Sequence, residues 1–247
     1  MENRYLLSKT LFSLLFSLFF IFTGCSVEEH FSHEEADQLL SATIVEETDG
    51  TRTTLSDDPT NRKVDVLWQH GDAIGVFGSA SGTNVRFQTE EGAISSDGKS
   101  TVFETSETAP EGELTGYYPY QQGAALLSGG VLQLTMPATQ SYDTNQTGVV
   151  RPDPAVNMMV GKGKDGNIAF RNLFAILRIT IAGSDGESVK QVVFTDLSGK
   201  PVSGMFSVNW NDDLPEAVFP ETGSNNDQRI ILDCGDGISL LDQTLTK

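Results

Sequence analysis

Cysteine is scarce in this chain. Its 247 residues hold two, Cys25 and Cys234, so no disulfide framework can carry the fold and packed apolar cores must do so. Histidine is almost as rare. Of His30, His33 and His70, two fall in a polar amino-terminal stretch, so a Ser-His-Asp site would rest on His70 alone. Basic residues are outnumbered, 16 against 34 acidic. A field of that sign repels phosphate backbones and offers no counterion release, which argues against nucleic acid as a partner. Long apolar runs are missing too. A membrane-spanning helix needs about 20 such residues, and the longest stretch, Leu11 to Phe22, is shorter and broken by Ser13 and Ser17.

What is present begins with an export signal. Arg4 and Lys9 form a basic start, the apolar stretch follows, and Thr23 and Gly24 close it before Cys25. Residues 1–24 therefore read as a signal peptide that is removed. Phe22-Thr23-Gly24-Cys25 has the form of a lipobox, with Cys25 taking the lipid. Two or more acyl chains hold a protein on a membrane stably, at about 0.8 kcal/mol per buried methylene. Residues 25–40 are acidic and polar, with a short helix expected over 34–40, and read as a tether. Of the 16 basic and 34 acidic residues, the first 24 positions hold Arg4, Lys9 and Glu2, which leaves the mature chain 14 basic and 33 acidic.

From there the pattern is short alternating runs separated by Gly, Pro, Asn and Asp, the signature of an all-β fold. Val64, Val66 and Trp68 share one parity, as do Leu132, Leu134 and Met136, and Val202, Phe206, Val208 and Trp210. Each run can bury one face and wet the other. Over 169–182 the apolar phase slips, from Phe170, Phe174 and Ile176 to Leu177, Ile179 and Ile181. That predicts a long strand with a bulge or with both faces buried. The turn-rich stretch 183–188 divides an amino-terminal domain, 41–183, from a carboxyl-terminal one, 184–247, which offers four strands and is expected to be incomplete at its carboxyl end.

Motifs for chemistry fail on inspection. Residues 92–101 end Gly98-Lys99-Ser100, but the glycine spacing is wrong for a phosphate loop and a strand follows where a helix should. Gly78-Ser79-Ala80-Ser81-Gly82 has alanine where a nucleophile elbow needs serine. His33-Glu34 meets Asp37 where a zinc helix needs its second histidine. Asp57-Asp58 and Asp212-Asp213 lack the spacing of a calcium loop. The residues call for no catalytic site, metal or other cofactor, so a non-enzymatic protein is expected.

One ordered set of segments resembles a known family. Thr51-Arg52-Thr53-Thr54-Leu55 precedes Trp68-Gln69-His70-Gly71-Asp72-Ala73-Ile74; then come Tyr117-Tyr118-Pro119-Tyr120, Met136-Pro137-Ala138-Thr139-Gln140, Met158-Met159-Val160 and the run from Phe170 to Ile179. The succession, from about residue 51 to 208, resembles the fimbrillin family, lipoprotein subunits of type V pili in Bacteroidetes. The resemblance implies two transthyretin-like β-sandwich domains, the second incomplete here. It further implies a lipoprotein on the outer face of the outer membrane, an address to which the acidic run after Cys25 also conforms. In that family a trypsin-like protease cuts near the first strand, and a strand from a neighbouring subunit fills the groove left behind.

Carried onto this chain, the resemblance makes Arg52 the candidate processing site, with Arg62 second and the removable strand just upstream near 43–45. Trp68, Gly71 and Asp72 become structural residues, the indole filling the sandwich and Gly71-Asp72 turning the chain. The partners implied are other pilus subunits, outer-membrane lipid through Cys25, and the host or bacterial surface ligands of an adhesive fimbria. The alternative is a surface lipoprotein that binds glycans, with Tyr117, Tyr118 and Tyr120 as a stacking platform.

Overall fold

The computed structural model describes residues 38–45, 66–90, 92–143, 151–152, 156–177, 179, 181–184, 186–212, 214–223 and 227–240. Alternating sequence gives fifteen strands among them: β1 (Gln38–Ile44), β2 (Ala73–Gly78), β3 (Ser81–Thr89), β4 (Ser100–Thr105), β5 (Leu114–Tyr118), β6 (Ala125–Leu126), β7 (Leu132–Met136), β8 (Thr139–Asp143), β9 (Arg151–Pro152), β10 (Met159–Lys164), β11 (Asn167–Asn172), β12 (Ser188–Thr195), β13 (Gly204–Asn211), β14 (Leu214–Val218) and β15 (Arg229–Ser239). Seven close into a barrel in the order β1-β11-β10-β5-β2-β3-β4. Two open sheets complete the fold, β14-β13-β7-β6 and β12-β15-β8-β9.

The barrel is a packed core. Leu40, Ala42, Ile74, Val76, Val85, Phe87, Phe103, Tyr118, Met159, Ile168 and Phe170 turn inward from its strands. Trp68 plugs it from the segment before β2, its ring edge-on to Phe103 at 5.1 Å and to Tyr118 and Phe170 at 5.5 Å. Such T-shaped contacts set the positive ring edge against a negative face.

Several barrel strands are apolar on both faces, and the second core explains why. Phe77, Tyr117 and Val160 point outward, next in sequence to the inward Val76, Tyr118 and Met159. Sheet β14-β13-β7-β6 covers them with Leu132, Leu134, Met136, Phe206 and Val208. A strand buried on both faces reads as a continuous apolar run, as Ile74 to Phe77 does. Glycine makes the close approaches possible: a Cβ on Gly75 would collide with the Tyr117 ring.

Two transthyretin-like sandwiches are not what the strands build. β1 pairs antiparallel with β4 and parallel with β11, and that double pairing closes one sheet on itself. Sandwich and barrel strands carry the same period-2 alternation, so periodicity cannot tell an open edge from a closed one. Strand β13, beyond residue 183, pairs with β7, well before it, so one sheet draws on both sides of that turn.

Local expectations fare unevenly. β7 and β13 form where the alternation places them. Residues 66–69 are not strand, although Trp68 is buried and Val66 packs on the barrel core. Residues 38–40 are strand and not helix. The long strand expected over 169–182 ends at Asn172; one further backbone bond, from the Leu173 N–H to the Met158 carbonyl at 2.9 Å, prolongs the register with β10, and Phe174 then turns onto Phe206 and Phe219.

Candidate functional site

Two features of the barrel stand out: a polar knot at the turn into β2, and the strand β1 that closes the wall between β4 and β11. The knot is built on Gly71-Asp72. Gly71 sits at φ +85°, a conformation that costs glycine little and other residues more. Its turn lets Asp72 fold back, so that the Gln69 N–H donates to Asp72 Oδ2 at 2.8 Å. The Tyr118 hydroxyl donates to Asp72 Oδ1 at 2.9 Å. Backbone bonds between Thr89 and both Gly71 and Asp72 tie the turn to the end of β3. Burial raises the Asp72 pKa above the ordinary carboxylate value, opposed in part by the two hydrogen bonds it accepts. The knot anchors Tyr118, whose ring holds Trp68. Trp68, Gly71 and Asp72 thus come together in one structural unit. The Trp68 indole N–H has no hydrogen-bond partner among the described residues.

The closing strand is β1. Leu40, Ala42 and Ile44 face the core, while Leu39 and Thr43 face out. In register, Leu40 lies opposite Phe103, Ala42 between Thr101 and Ile168, and Ile44 opposite Phe170. Beyond the ladders, the Ser41 N–H bonds to the Gly166 carbonyl at 2.8 Å, that of Ile44 to Lys99 at 2.9 Å, and that of Val45 to Phe170 at 2.8 Å. The Ala109 N–H donates to the Gln38 side chain, and Thr43 Oγ1 lies 3.1 Å from Ser100 Oγ. Inside the wall, the buried hydroxyls of Thr89 and Thr101 are 2.7 Å apart and satisfy one another.

Tyr117 and Tyr118 do not form a row. Tyr117 is buried in the outer core and Tyr118 in the barrel, and Tyr120 is half-buried with Arg86 over its ring at 5.8 Å. The Tyr117 hydroxyl accepts the Gln121 N–H at 3.2 Å and lies 2.8 Å from the Gln121 carbonyl and 3.0 Å from Asn84 Oδ1, either of which can take its proton. Burial pushes its phenol up to about 12. Among the described residues no group of three or more His, Cys, Asp or Glu is arranged to hold a metal.

Cys25, Arg52 and Arg62 lie outside the described residues, as do Asp57, Asp58 and Asp213. Sequence reasoning missed the extent of β1, assigning its first residues to the tether, although Leu40, Ala42 and Ile44 share a parity that would have marked it. It also missed Lys162, whose ammonium stands 4.7 Å over the Trp210 ring; a lysine three residues past a buried strand start carries no signal of that contact. Compared with known proteins, the chain matches no family model, no curated protein and no solved structure.

Proposed function

We propose that this protein is a surface lipoprotein of the fimbrillin kind, a pilus subunit that assembles by exchanging β1 for a strand of a neighbour. The observation that carries the reading is the position of β1. It closes the barrel between β4 and β11, and it joins the rest of the barrel only through residues 46–65. That connecting stretch contains Arg52 and Arg62, the basic residues a trypsin-like protease requires. One cut there would leave β1 held by hydrogen bonds and side-chain burial alone. Its departure would expose two strand edges and an apolar slot, which a strand from another subunit would fill through backbone pairing and alternate side chains. On the same reading Cys25 carries the lipid that holds the uncut chain on the outer membrane, facing outward, and releasing β1 also releases that anchor.

The test is to treat the surface-displayed, lipid-bearing protein with a trypsin-like protease, locate cuts by mass spectrometry, and follow assembly on native gels. Cleavage within 46–65 followed by a ladder of oligomers is the expected result. A cut chain that stays monomeric, with β1 still bound, would sink the reading. Separately, incorporation of labelled fatty acid should disappear in Cys25→Ala.

A further inference from the structure

We infer that the slot occupied by β1 selects its strand by size, accepting large, small and large apolar side chains at alternate positions and rejecting a large one in the middle. This rests on the reading of β1 as the exchangeable strand. The three inward residues are Leu40, Ala42 and Ile44, exposed by 3, 0 and 5 %. The middle position is narrow because neither neighbour can retreat. On one side, Thr101 is pinned by its hydroxyl contact with Thr89. On the other, Ile168 is wedged over strands that have no side chain to spare. A Cβ on Gly116 would come within 2.9 Å of the Ile168 side chain, one on Gly161 within 2.8 Å and one on Gly163 within 2.6 Å. Three glycines therefore form the floor on which Ile168 already rests. Close-packed interiors resist added methylenes, since the surrounding side chains must leave their rotamers to admit them. The end positions differ. There the larger residues sit, Leu40 opposite Phe103 and Ile44 opposite Phe170 in register.

The chain contains its own decoy. Leu40-Ser41-Ala42-Thr43-Ile44 is matched by Leu177-Arg178-Ile179-Thr180-Ile181, identical at the first, fourth and fifth positions. The two differ at one outward position, Ser41 against Arg178, and at the middle, Ala42 against Ile179. Leu177, Ile179 and Ile181 are exposed, Leu177 by 67 %. Without a size rule, this stretch would compete for the slot in its own barrel or in a neighbour's. With it, the middle isoleucine bars the decoy, and Ala42 becomes the residue that decides which strands enter.

The experiment uses the full mature chain, cut once by trypsin within 46–65, and four labelled peptides. They are residues 38–45 as they stand, the same with Ser41→Arg, the same with Ala42→Ile, and residues 175–182. Uptake is read by fluorescence anisotropy and by native mass spectrometry. The first two should enter alike, and the last two about tenfold or more weakly. Equal uptake of all four would overturn the size rule while leaving strand exchange standing. Failure of the unaltered 38–45 peptide to enter the cut chain would remove strand exchange itself, and the size rule with it.

Discussion

The barrel and the β12-β15 strand pair are made of the same material and end up in opposite states. Both are alternating strands rich in Val, Ile, Leu and Phe. In the barrel, inward side chains meet a cluster of aromatics, and the outward Phe77, Tyr117 and Val160 meet a second sheet. In the β12-β15 pair, Val193 and Phe194 are exposed by 45 and 46 %, and Leu197, in the turn that follows β12, by 97 %. The apolar content of a strand therefore says little about its stability until its two faces are assigned neighbours. Edges differ likewise. β14 carries Pro215 and β9 carries Pro152, and proline has no N–H to offer an incoming strand. β12 has no proline and pairs on one side only, with β15.

The contrast can be broken most forcefully at Trp68. Trp68→Ala removes a ring that touches three other aromatics and should cost about 3–5 kcal/mol in urea unfolding. Retention of wild-type stability would mean that the plug carries no load. Gly75→Ala comes next: the new methyl meets the buried Tyr117 ring between the two cores, and overpacking of this kind costs about 1–3 kcal/mol.

Asp72→Asn should cost about 1–2 kcal/mol, because an amide cannot accept from both the Gln69 N–H and the Tyr118 hydroxyl without turning its own N–H toward a donor. It should also change the pH profile. The folded pKa of Asp72 is raised above 3.8, so the folded state holds this proton more tightly. Its contribution is fully present below 3.8 and is lost as pH rises through the folded value. The variant should lack that component, and identical slopes in acid titrations of stability would contradict the assignment. The smallest effect belongs to β12 and the turn after it. Leu197→Ser should change stability by no more than about 0.5 kcal/mol, and amides of β12 should exchange with solvent well before those of β2 and β5.

How much of this was legible in the sequence depends on which physical signal each element carries. β7 and β13 were readable because one face of each is buried and the other is wetter, so Leu132, Leu134 and Met136, or Phe206 and Val208, announce themselves by parity. Trp68 was readable as core but not as loop, since parity reports burial and not hydrogen bonding. Closure of the barrel was not readable. It depends on β1 meeting β4 and β11, pairings across long stretches of chain that leave no mark on local alternation. The apolar phase slip after Ile176 did not report a bulged or doubly buried strand: β11 has already ended at Asn172, and Leu177, Ile179 and Ile181 beyond the slip are exposed. At the candidate site, Gly71 and Asp72 were legible as a turn. The pinning of Ala42 by Thr101 and Ile168 was not, because it arises from strands distant in sequence.

The double ladder of β1 has a mechanical side. A strand bonded to neighbours on both edges meets a pull along its own axis by loading every rung at once, in shear, whereas a pull across it would open the rungs one after another. Tension entering from the residues before Gln38 and directed along the strand would be borne by the ladders to β4 and β11 together, and the stave that completes the barrel would also be the part that takes the strain.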